Sequence, residues 1–220
     1  YGHFHGMGFN RGYFLRKNVH RCSSVIVLTQ HMKSSLLKFF PELTCYIIEN
    51  PTRLKWLENK QKNDTVVYYS NLMRSKGINE FVGLAMETMN TYNFEAAGRN
   101  LENIKLPNYI KYRGLIQGRE RYDFLTQASY LVFFTNYVEE SFPLVLIEAL
   151  YTGVLPIVRR HNGIDKLFEG YGFVWVDSFD DLIEVFRKKS CLENSFNKFS
   201  ELRNQKKTQI LHRFSKERFS

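Results

Sequence analysis

Short β-branched or aromatic runs alternate with segments of helical apolar spacing from Asp64 to Lys189. The predicted strands are Asp64–Ser70, Tyr92–Ala97, Tyr109–Arg113, Tyr130–Phe134, Val154–Val158 and Gly172–Val176. The predicted helices between them are Lys76–Met89, Arg119–Ala128, Leu144–Tyr151, Asp165–Phe168 and Asp180–Lys189. Such alternation is typical of a parallel sheet with crossover helices. The sequence therefore predicts an α/β, Rossmann-like, doubly wound domain of about six strands.

The segments before this domain do not close a fold by themselves. Ser24–Leu28 and Cys45–Ile48 are predicted strands, with an amphipathic helix over Gln30–Phe39 between them. Pro51 then ends a strand, and the stretch that follows is polar. We divide the chain into part of a first domain (1–50), a linker (51–63), the doubly wound domain (64–190) and a basic helical segment (191–220).

The chain has an excess of positive charge, with 31 Lys and Arg against 22 Asp and Glu. Much of it lies near the end, at Arg203, Lys206, Lys207, Arg213, Lys216 and Arg218. Such a patch attracts phosphates, anionic lipid headgroups or nucleic acid, unless it is a solvated helix face. Beyond Phe214 and Phe219, the tail has no interleaved aromatic residues for stacking bases, so we expect no nucleic-acid partner. No apolar run is long enough to span a membrane.

Three widely spaced cysteines, Cys22, Cys45 and Cys191, form no metal-binding motif. Unpaired thiols favour a reducing compartment, so we expect a cytoplasmic protein. The sequence has no Asp-x-Asp pair and no His/Asp cluster that would indicate a metal site. The sequence therefore predicts no metal and no cofactor.

Doubly wound sheets bind ligands at the carboxyl ends of their strands. The first such loop, residues 70–77, carries Arg74 and Lys76 directly before a helix. Cations and free amides at a helix start suit a phosphate, although basic residues in such loops are often only exposed. After the second strand, Gly98 allows either a close approach to a ligand or a plain turn.

The most informative loop follows the fourth strand, where Glu140 and Glu148 bracket an apolar run. Eight helical residues advance about 80° past two full turns, so the two carboxylates share nearly one face. Carboxylates accept hydrogen bonds from paired hydroxyls, as ribose and sugars present them. The local alternatives are a ligand clasp and an acidic cap on an ordinary amphipathic helix.

Glu140 and Glu148 with seven residues between, followed by the segment 149–156, resemble the E-x7-E signature of family 4 retaining GT-B glycosyltransferases, the glycosyl transferases group 1. The segment 70–77 resembles the phosphate loop of this family, and 97–99 its downstream glycine turn. Ser70 and Asn71 depart from the pattern, because the family usually has Gly and Arg there.

The resemblance implies roles for individual residues. Lys76 would neutralise the donor diphosphate, with Arg74 as a second positive charge and Gly98 in the adjoining turn. Glu148 would hold the ribose hydroxyls, and Glu140 would contact hydroxyls of the transferred sugar and serve catalysis. The segment that would reach the sugar and phosphate comprises Ser141, Phe142, Pro143 and Leu144. His5 would be a cleft residue that contacts the donor sugar, the alternative being a surface or structural histidine.

The resemblance also implies the fold and activity of a whole enzyme. Residues 64–190 would form the C-terminal, donor-binding half of a GT-B fold, and residues 1–50 would be a remnant of the N-terminal, acceptor-side domain. The enzyme would be a metal-independent hexosyltransferase that moves a sugar from a nucleoside-diphosphate sugar to an acceptor hydroxyl with retention. The acceptor would be a saccharide or lipid-linked, in surface polysaccharide, lipopolysaccharide or glycoconjugate synthesis, with peripheral contact at the inner face of an anionic membrane. The alternative is a catalytically incomplete nucleotide-sugar-binding module or a partner subunit.

Overall fold

The computed structural model describes residues 22–58, 60–137, 140, 142–161 and 163–214. A small parallel unit comes first, with β1 Val25–Val27, helix α1 Gln30–Leu37 and β2 Cys45–Ile47. Its elements follow the predicted order. Thr29 caps α1, because its hydroxyl accepts a hydrogen bond from the Met32 backbone N at 3.1 Å.

Six parallel strands form the main sheet, in the order β5-β4-β3-β6-β7-β8. They are β3 Thr65–Tyr69, β4 Asn93–Ala97, β5 Ile110–Tyr112, β6 Tyr130–Phe133, β7 Leu155–Arg159 and β8 Val174–Val176. The helices around them are α2 Ile78–Thr88, α3 Gly118–Thr126, α4 Leu144–Thr152, α5 Ile164–Leu167 and α6 Phe179–Arg187. The predicted doubly wound α/β domain is confirmed. Its topology reverses direction between β3 and β6, where such sheets bind ligands.

Helix α4 is buried on all sides. Every residue from Val145 to Thr152 is buried, including the carboxylate-bearing Glu148. A helix that is apolar all round lies inside a protein rather than at its surface. The helix ends at Gly153, whose backbone adopts the left-handed conformation. An acid in this helix is therefore held in an apolar environment.

One predicted helix begins later than expected. The expected helix over residues 76–89 is α2, which starts at Ile78, while residues 74–76 form a separate 3-10 turn. The break is at Gly77, whose φ of +85° lies outside the helical region. Lys76 is consequently in a turn of its own, which aims its side chain independently of the helix.

The basic end of the chain forms two helices, α7 Lys189–Gln205 and α8 Lys207–Phe214. Its charges are largely used inside the molecule. Arg203 is 2% exposed and donates to backbone carbonyl oxygens, Lys207 pairs with Glu58, and Arg213 pairs with Glu49. Lys206 donates to the carbonyl oxygen of Gly170, whereas Lys216 and Arg218 lie outside the described residues. In its described part, the tail is therefore a packed element and not a freely solvated basic face.

The segment predicted to be a linker packs against the main domain. The Leu57 backbone N donates to the Tyr151 carbonyl oxygen at 2.9 Å. The Arg203 guanidinium lies 3.8 Å from the centroid of the Trp56 ring. Residues 51–63 contain no helix or longer strand where they are described, yet these contacts hold them against α4 and α7.

Candidate functional site

Lys76 and Glu140 meet at the carboxyl edge of the sheet. Lys76 lies in the turn after β3, Glu140 lies in the loop after β6, and these two strands are neighbours. The expected helical spacing of Glu140 and Glu148 is wrong, because α4 begins only at Leu144. The Lys76 Nζ is 2.5 Å from the Glu140 Oε2, and the two side chains are 15% and 14% exposed. The same Lys76 Nζ lies over the Tyr137 ring, 4.0 Å from the ring centroid. This partly buried charge pair is the main electrostatic feature of the predicted donor site, because low exposure strengthens its field.

A glycine contact brings the two loops together. A Cβ built on Gly77 would lie 2.2 Å from the Phe134 carbonyl oxygen, so only glycine lets the turn approach this closely. The Asn136 backbone N donates to the Ser75 carbonyl oxygen at 2.8 Å beside it. Lys76 is thereby fixed against the loop that carries Glu140.

The sequence suggests that Gly98 allows a close approach to a ligand or a plain turn. In the structure Gly98 is in close contact with the backbone of the loop after β3. Its φ is +138°, and a Cβ there would lie 1.8 Å from the Ser70 carbonyl oxygen. Its N donates to the Gly114 carbonyl oxygen at 2.9 Å, and its own carbonyl oxygen accepts from the Tyr112 hydroxyl at 2.7 Å. A contact between Gly98 and a donor remains a prediction.

The Arg74 side chain, which the sequence suggests would contact a diphosphate, is paired with a carboxylate of the protein. Its guanidinium lies 3.3 Å from the Glu102 Oε2 in the loop after β4, and its side chain is 69% exposed. Its backbone N also donates to that carboxylate, at 3.2 Å. Arg74 and Lys76 therefore contact different carboxylates, Glu102 and Glu140. The role of Arg74 as a second diphosphate cation stays a prediction.

Glu148 is the most buried acid of the predicted site, at 4% exposure. Its Oε1 lies 3.0 Å from the guanidinium Nη1 of Arg121, which projects from α3. Burial raises the pKa of Glu148 to about 7, and the nearby Arg121 charge opposes this rise. Burial also raises the pKa of the neighbouring Tyr69 phenol, and the Glu148 charge adds to that rise.

The start of α4 offers backbone amides in a place suited to an anion. Pro143 is the N-cap residue and supplies no side-chain hydrogen bond, while Leu144 is 41% exposed at the first turn. The first N–H groups of a helix lack partners one turn earlier, and together with the helix dipole they favour negative charge there. Among them, the Leu146 N–H already donates to the Pro143 carbonyl oxygen at 3.1 Å. Phe142 instead packs inward, its ring centroid 6.5 Å from that of Phe214. Ser141 and His5, also predicted site residues, lie outside the described residues.

Sequence reasoning missed Arg121 and Tyr137. Arg121 comes three and four residues before Phe124 and Leu125, both of which are buried, so its helical position faces inward. An arginine at an inward position is a signal that could have been noticed. Tyr137 lies in an irregular loop, where no periodicity predicts which way a ring points.

No group of three or more His, Cys, Asp or Glu side chains among the described residues is placed to hold a metal ion. None of the helices in that part of the chain combines the length and apolar character needed to cross a bilayer.

The fold and the site together define a class of protein. Residues 51–201 match the family described as glycosyl transferases group 1. The match covers more than half of the chain, so the chain belongs to this family. Its Rossmann-like sheet is the corresponding half of a GT-B fold. No curated protein matches the sequence.

Solved structures with this fold cover nearly the whole chain. S. aureus TarM has a TM-score of 0.73 at 17% identity, over 97% of this chain and 46% of TarM. Anabaena HepE, in complex with UDP and glucose, has a TM-score of 0.73 at 15% identity, over 96% of this chain and 64% of HepE. The pneumococcal O-GlcNAc transferase GtfA, in complex with UDP and GlcNAc, has a TM-score of 0.69 at 18% identity, over 95% of this chain and 45% of GtfA. The chain spans about half the length of TarM and GtfA, and these identities show a shared fold.

Proposed function

We propose that residues 64–190 bind a nucleoside-diphosphate sugar, and that the whole protein transfers the sugar to an acceptor hydroxyl with retention of configuration. The observation that carries this proposal is the Lys76–Glu140 pair, 2.5 Å apart at the carboxyl ends of β3 and β6. Family membership supports glycosyl transfer as the chemistry.

Lys76 would stabilise the departing diphosphate. Glycosyl transfer leaves negative charge on the diphosphate, and fixed positive groups at that point lower the barrier. The Lys76 side chain is 15% exposed, so the field of its charge is weakened less by water than that of a surface lysine. The amides at the start of α4 would add to it. Because these groups supply the charge, we propose that the transfer needs no metal ion.

The two carboxylates would divide the rest of the donor. Glu148 on α4 would accept hydrogen bonds from the ribose hydroxyls, and Glu140 would accept them from the transferred sugar. Since Lys76 now pairs with Glu140, binding of a diphosphate would draw the ammonium away and free the Glu140 carboxylate for the sugar. The charge pair would thus hold both groups ready for one ligand.

Binding of UDP is the first test, because HepE and GtfA were each solved with UDP. Calorimetry would compare the unaltered protein with Lys76→Met and with the control Lys188→Met. Lys188 pairs with Glu184 on the surface, with a side chain 61% exposed. A charge-assisted hydrogen bond contributes roughly 1.5–3 kcal/mol, so Lys76→Met should weaken UDP binding roughly 10- to 100-fold. Unchanged affinity in Lys76→Met would contradict the phosphate assignment.

The division between the carboxylates has its own test with UDP and UDP-glucose. Glu148→Gln should weaken both ligands, since both carry ribose. Glu140→Gln should weaken UDP-glucose relative to UDP, and should leave UDP binding equal or tighter because Lys76 loses its competing partner. Equal losses of both ligands in both variants would contradict these roles.

Turnover is tested on the complete protein with an acceptor. The anomeric configuration of the product, read by proton NMR, distinguishes retention from inversion. Activity that survives EDTA would support metal independence. Donor binding without transfer to any saccharide or lipid-linked acceptor would instead favour a non-catalytic nucleotide-sugar-binding module. Co-sedimentation with anionic vesicles would test the peripheral membrane contact that we expect, and fractionation of cells would test the cytoplasmic, membrane-facing location.

A further inference from the structure

Arg121 and Glu148 form an ion pair between two helices that pack together. Arg121 projects from α3, Glu148 from α4, and the nearest nitrogen and oxygen are 3.0 Å apart. The side chains are 29% and 5% exposed. The pair is therefore mostly withdrawn from water, where a bonded partner matters more than at a surface.

The fold alone does not call for an arginine at position 121. An apolar residue at this inward position would pack at least as favourably, because desolvating a buried ion pair offsets most of its attraction. The Arg121 Nε is moreover buried without a hydrogen-bond partner, which is unfavourable. Arg203 is different, since its guanidinium donates to several backbone carbonyl oxygens. The Arg121 guanidinium is instead paired with the Glu148 carboxylate and also hydrogen-bonds the Tyr69 side chain.

Ribose recognition favours an ionised Glu148 carboxylate, whereas the burial of this side chain disfavours ionisation. An ionised carboxylate accepts from paired hydroxyls through both oxygens, whereas a protonated carboxyl has become a donor at one oxygen and accepts less strongly. A buried carboxyl tends to stay protonated. Two ionisable side chains face it in the described part of the chain, Arg121 from α3 and Tyr69 from β3. Tyr69 carries no charge near neutral pH. Arg121 is thus the group that favours the ionised form.

We propose that Arg121 is a positioning residue for the nucleotide, which holds the Glu148 carboxylate ionised and oriented so that it accepts hydrogen bonds from the ribose hydroxyls. The proposal rests on the proposed donor site and adds a residue to it. One carboxylate oxygen, Oε1, is engaged by the guanidinium, so Oε2 is the oxygen that would accept from the ribose hydroxyls. Arg121 acts through Glu148 and need not touch the nucleotide itself.

The test is the pH dependence of UDP binding, measured by calorimetry from pH 5.5 to 9.5. Affinity of the unaltered protein should rise as Glu148 ionises. In Arg121→Gln the midpoint should move up by about one pH unit, since loss of a nearby opposite charge shifts a carboxyl by about that much or more. At pH 7 this shift predicts roughly fivefold weaker binding, with recovery towards the unaltered affinity above pH 9.

Two further variants keep the measurement specific. Arg121→Lys retains the charge and should restore the midpoint. Arg119→Gln is the matched control on the same helix, because the Arg119 side chain is 93% exposed and pairs with Asp123. Glu148→Gln shows the pH dependence of the UDP phosphate alone, which is subtracted from every profile, since phosphates titrate near pH 6.

The outcomes separate this inference from the proposed function. A profile in Arg121→Gln identical to that of the unaltered protein would overturn the positioning role, as would an equal loss at every pH, which points to direct ligand contact or a damaged fold. Circular dichroism and thermal unfolding of Arg121→Gln and Arg121→Lys identify a damaged fold. If the unaltered protein binds no UDP or other nucleoside diphosphate at any pH, the donor site itself is wrong and the role of Arg121 falls with it.

Discussion

Gly98 lies directly against the carbonyl oxygen of Ser70. A Cβ added at Gly98 would be 1.8 Å from that oxygen, and the φ of Gly98 is +138°. This contact seats the loop after β4 against the end of β3, where the predicted phosphate loop begins. A glycine is required by the packing of two loops, whatever ligand they bind.

Gly98→Ala should therefore destabilise the protein by roughly 3 kcal/mol or more, because it combines backbone strain with overlap on a backbone atom. Gly114→Ala is the matched control, since Gly114 also has a positive φ of +70° but nothing within 4 Å of its Cβ position. The control should lose about 1–2 kcal/mol through strain alone. Urea unfolding measures both, and equal losses would show that the Ser70 contact is not limiting.

Arg203 should be a major stabilising residue despite its place in the basic tail. Its guanidinium donates to the carbonyl oxygens of Leu57, Leu150 and Tyr151, and stacks on Trp56. Burial lowers its pKa to about 10, so it stays charged at neutral pH. Arg203→Met would remove the guanidinium donors from all three carbonyl oxygens, of which that of Tyr151 keeps a second donor, the Leu57 backbone N. The change should cost roughly 3 kcal/mol or more of unfolding free energy.

Arg187→Met is the control for Arg203→Met in the same urea unfolding experiment. Arg187 pairs with Glu87 on the surface, with a side chain 63% exposed, and exposed pairs contribute about 0–1 kcal/mol. Arg203→Lys should fall between the two, because an ammonium lacks the planar fork and the stacking face. A small effect of Arg203→Met, similar to that of the control, would mean that water replaces the guanidinium.

The strands and the predicted site loops could be predicted because their signals are local. A buried parallel strand is a short apolar run, and β3 to β8 lie within the predicted segments, except that β7 extends one residue further, to Arg159. The order of strands and loops then predicts that Lys76 and Glu140 share one edge of the sheet. Their contact within 2.5 Å depends on Gly77 fitting against Phe134, a tertiary contact that sequence spacing does not encode.

The misleading signals concern charged residues whose partners are distant in sequence. Arg203 looks like part of a solvated basic patch, yet the carbonyl groups it bonds include those of Leu150 and Tyr151, more than fifty positions away. Arg121 looks like one of several charges on a polar helix, yet it faces Glu148. Charge counts along a chain do not reveal such pairs, because burial is decided by the packing of whole helices.

The end of α8 should stabilise the loop that precedes α4. Phe214 is fully buried and its ring centroid is 6.5 Å from that of Phe142, at an angle of 60°. Edge-on aromatic pairs contribute about 0.5–1.5 kcal/mol beyond their burial. A double-mutant cycle with Phe142→Leu and Phe214→Leu should give a coupling in this range. Strictly additive effects in urea unfolding would contradict direct coupling between the last helix and the predicted donor loop.

Glu148 should make the protein less stable as pH rises from about 4.5 to about 7. Its pKa is near 4.5 when unfolded and about 7 when folded, so the folded state binds more protons across this interval. Stability falls with pH wherever the folded state holds the extra proton. The shift corresponds to a loss of about 3 kcal/mol, complete above pH 7.

Glu148→Gln removes this contribution, so the unfolding free energy of the variant relative to that of the unaltered protein should rise across the interval. Glu87→Gln, at an exposed pair, is the control. A flat difference for Glu148→Gln between pH 4.5 and 7, measured by urea unfolding at each pH, would mean that the carboxylate is better solvated than its burial suggests.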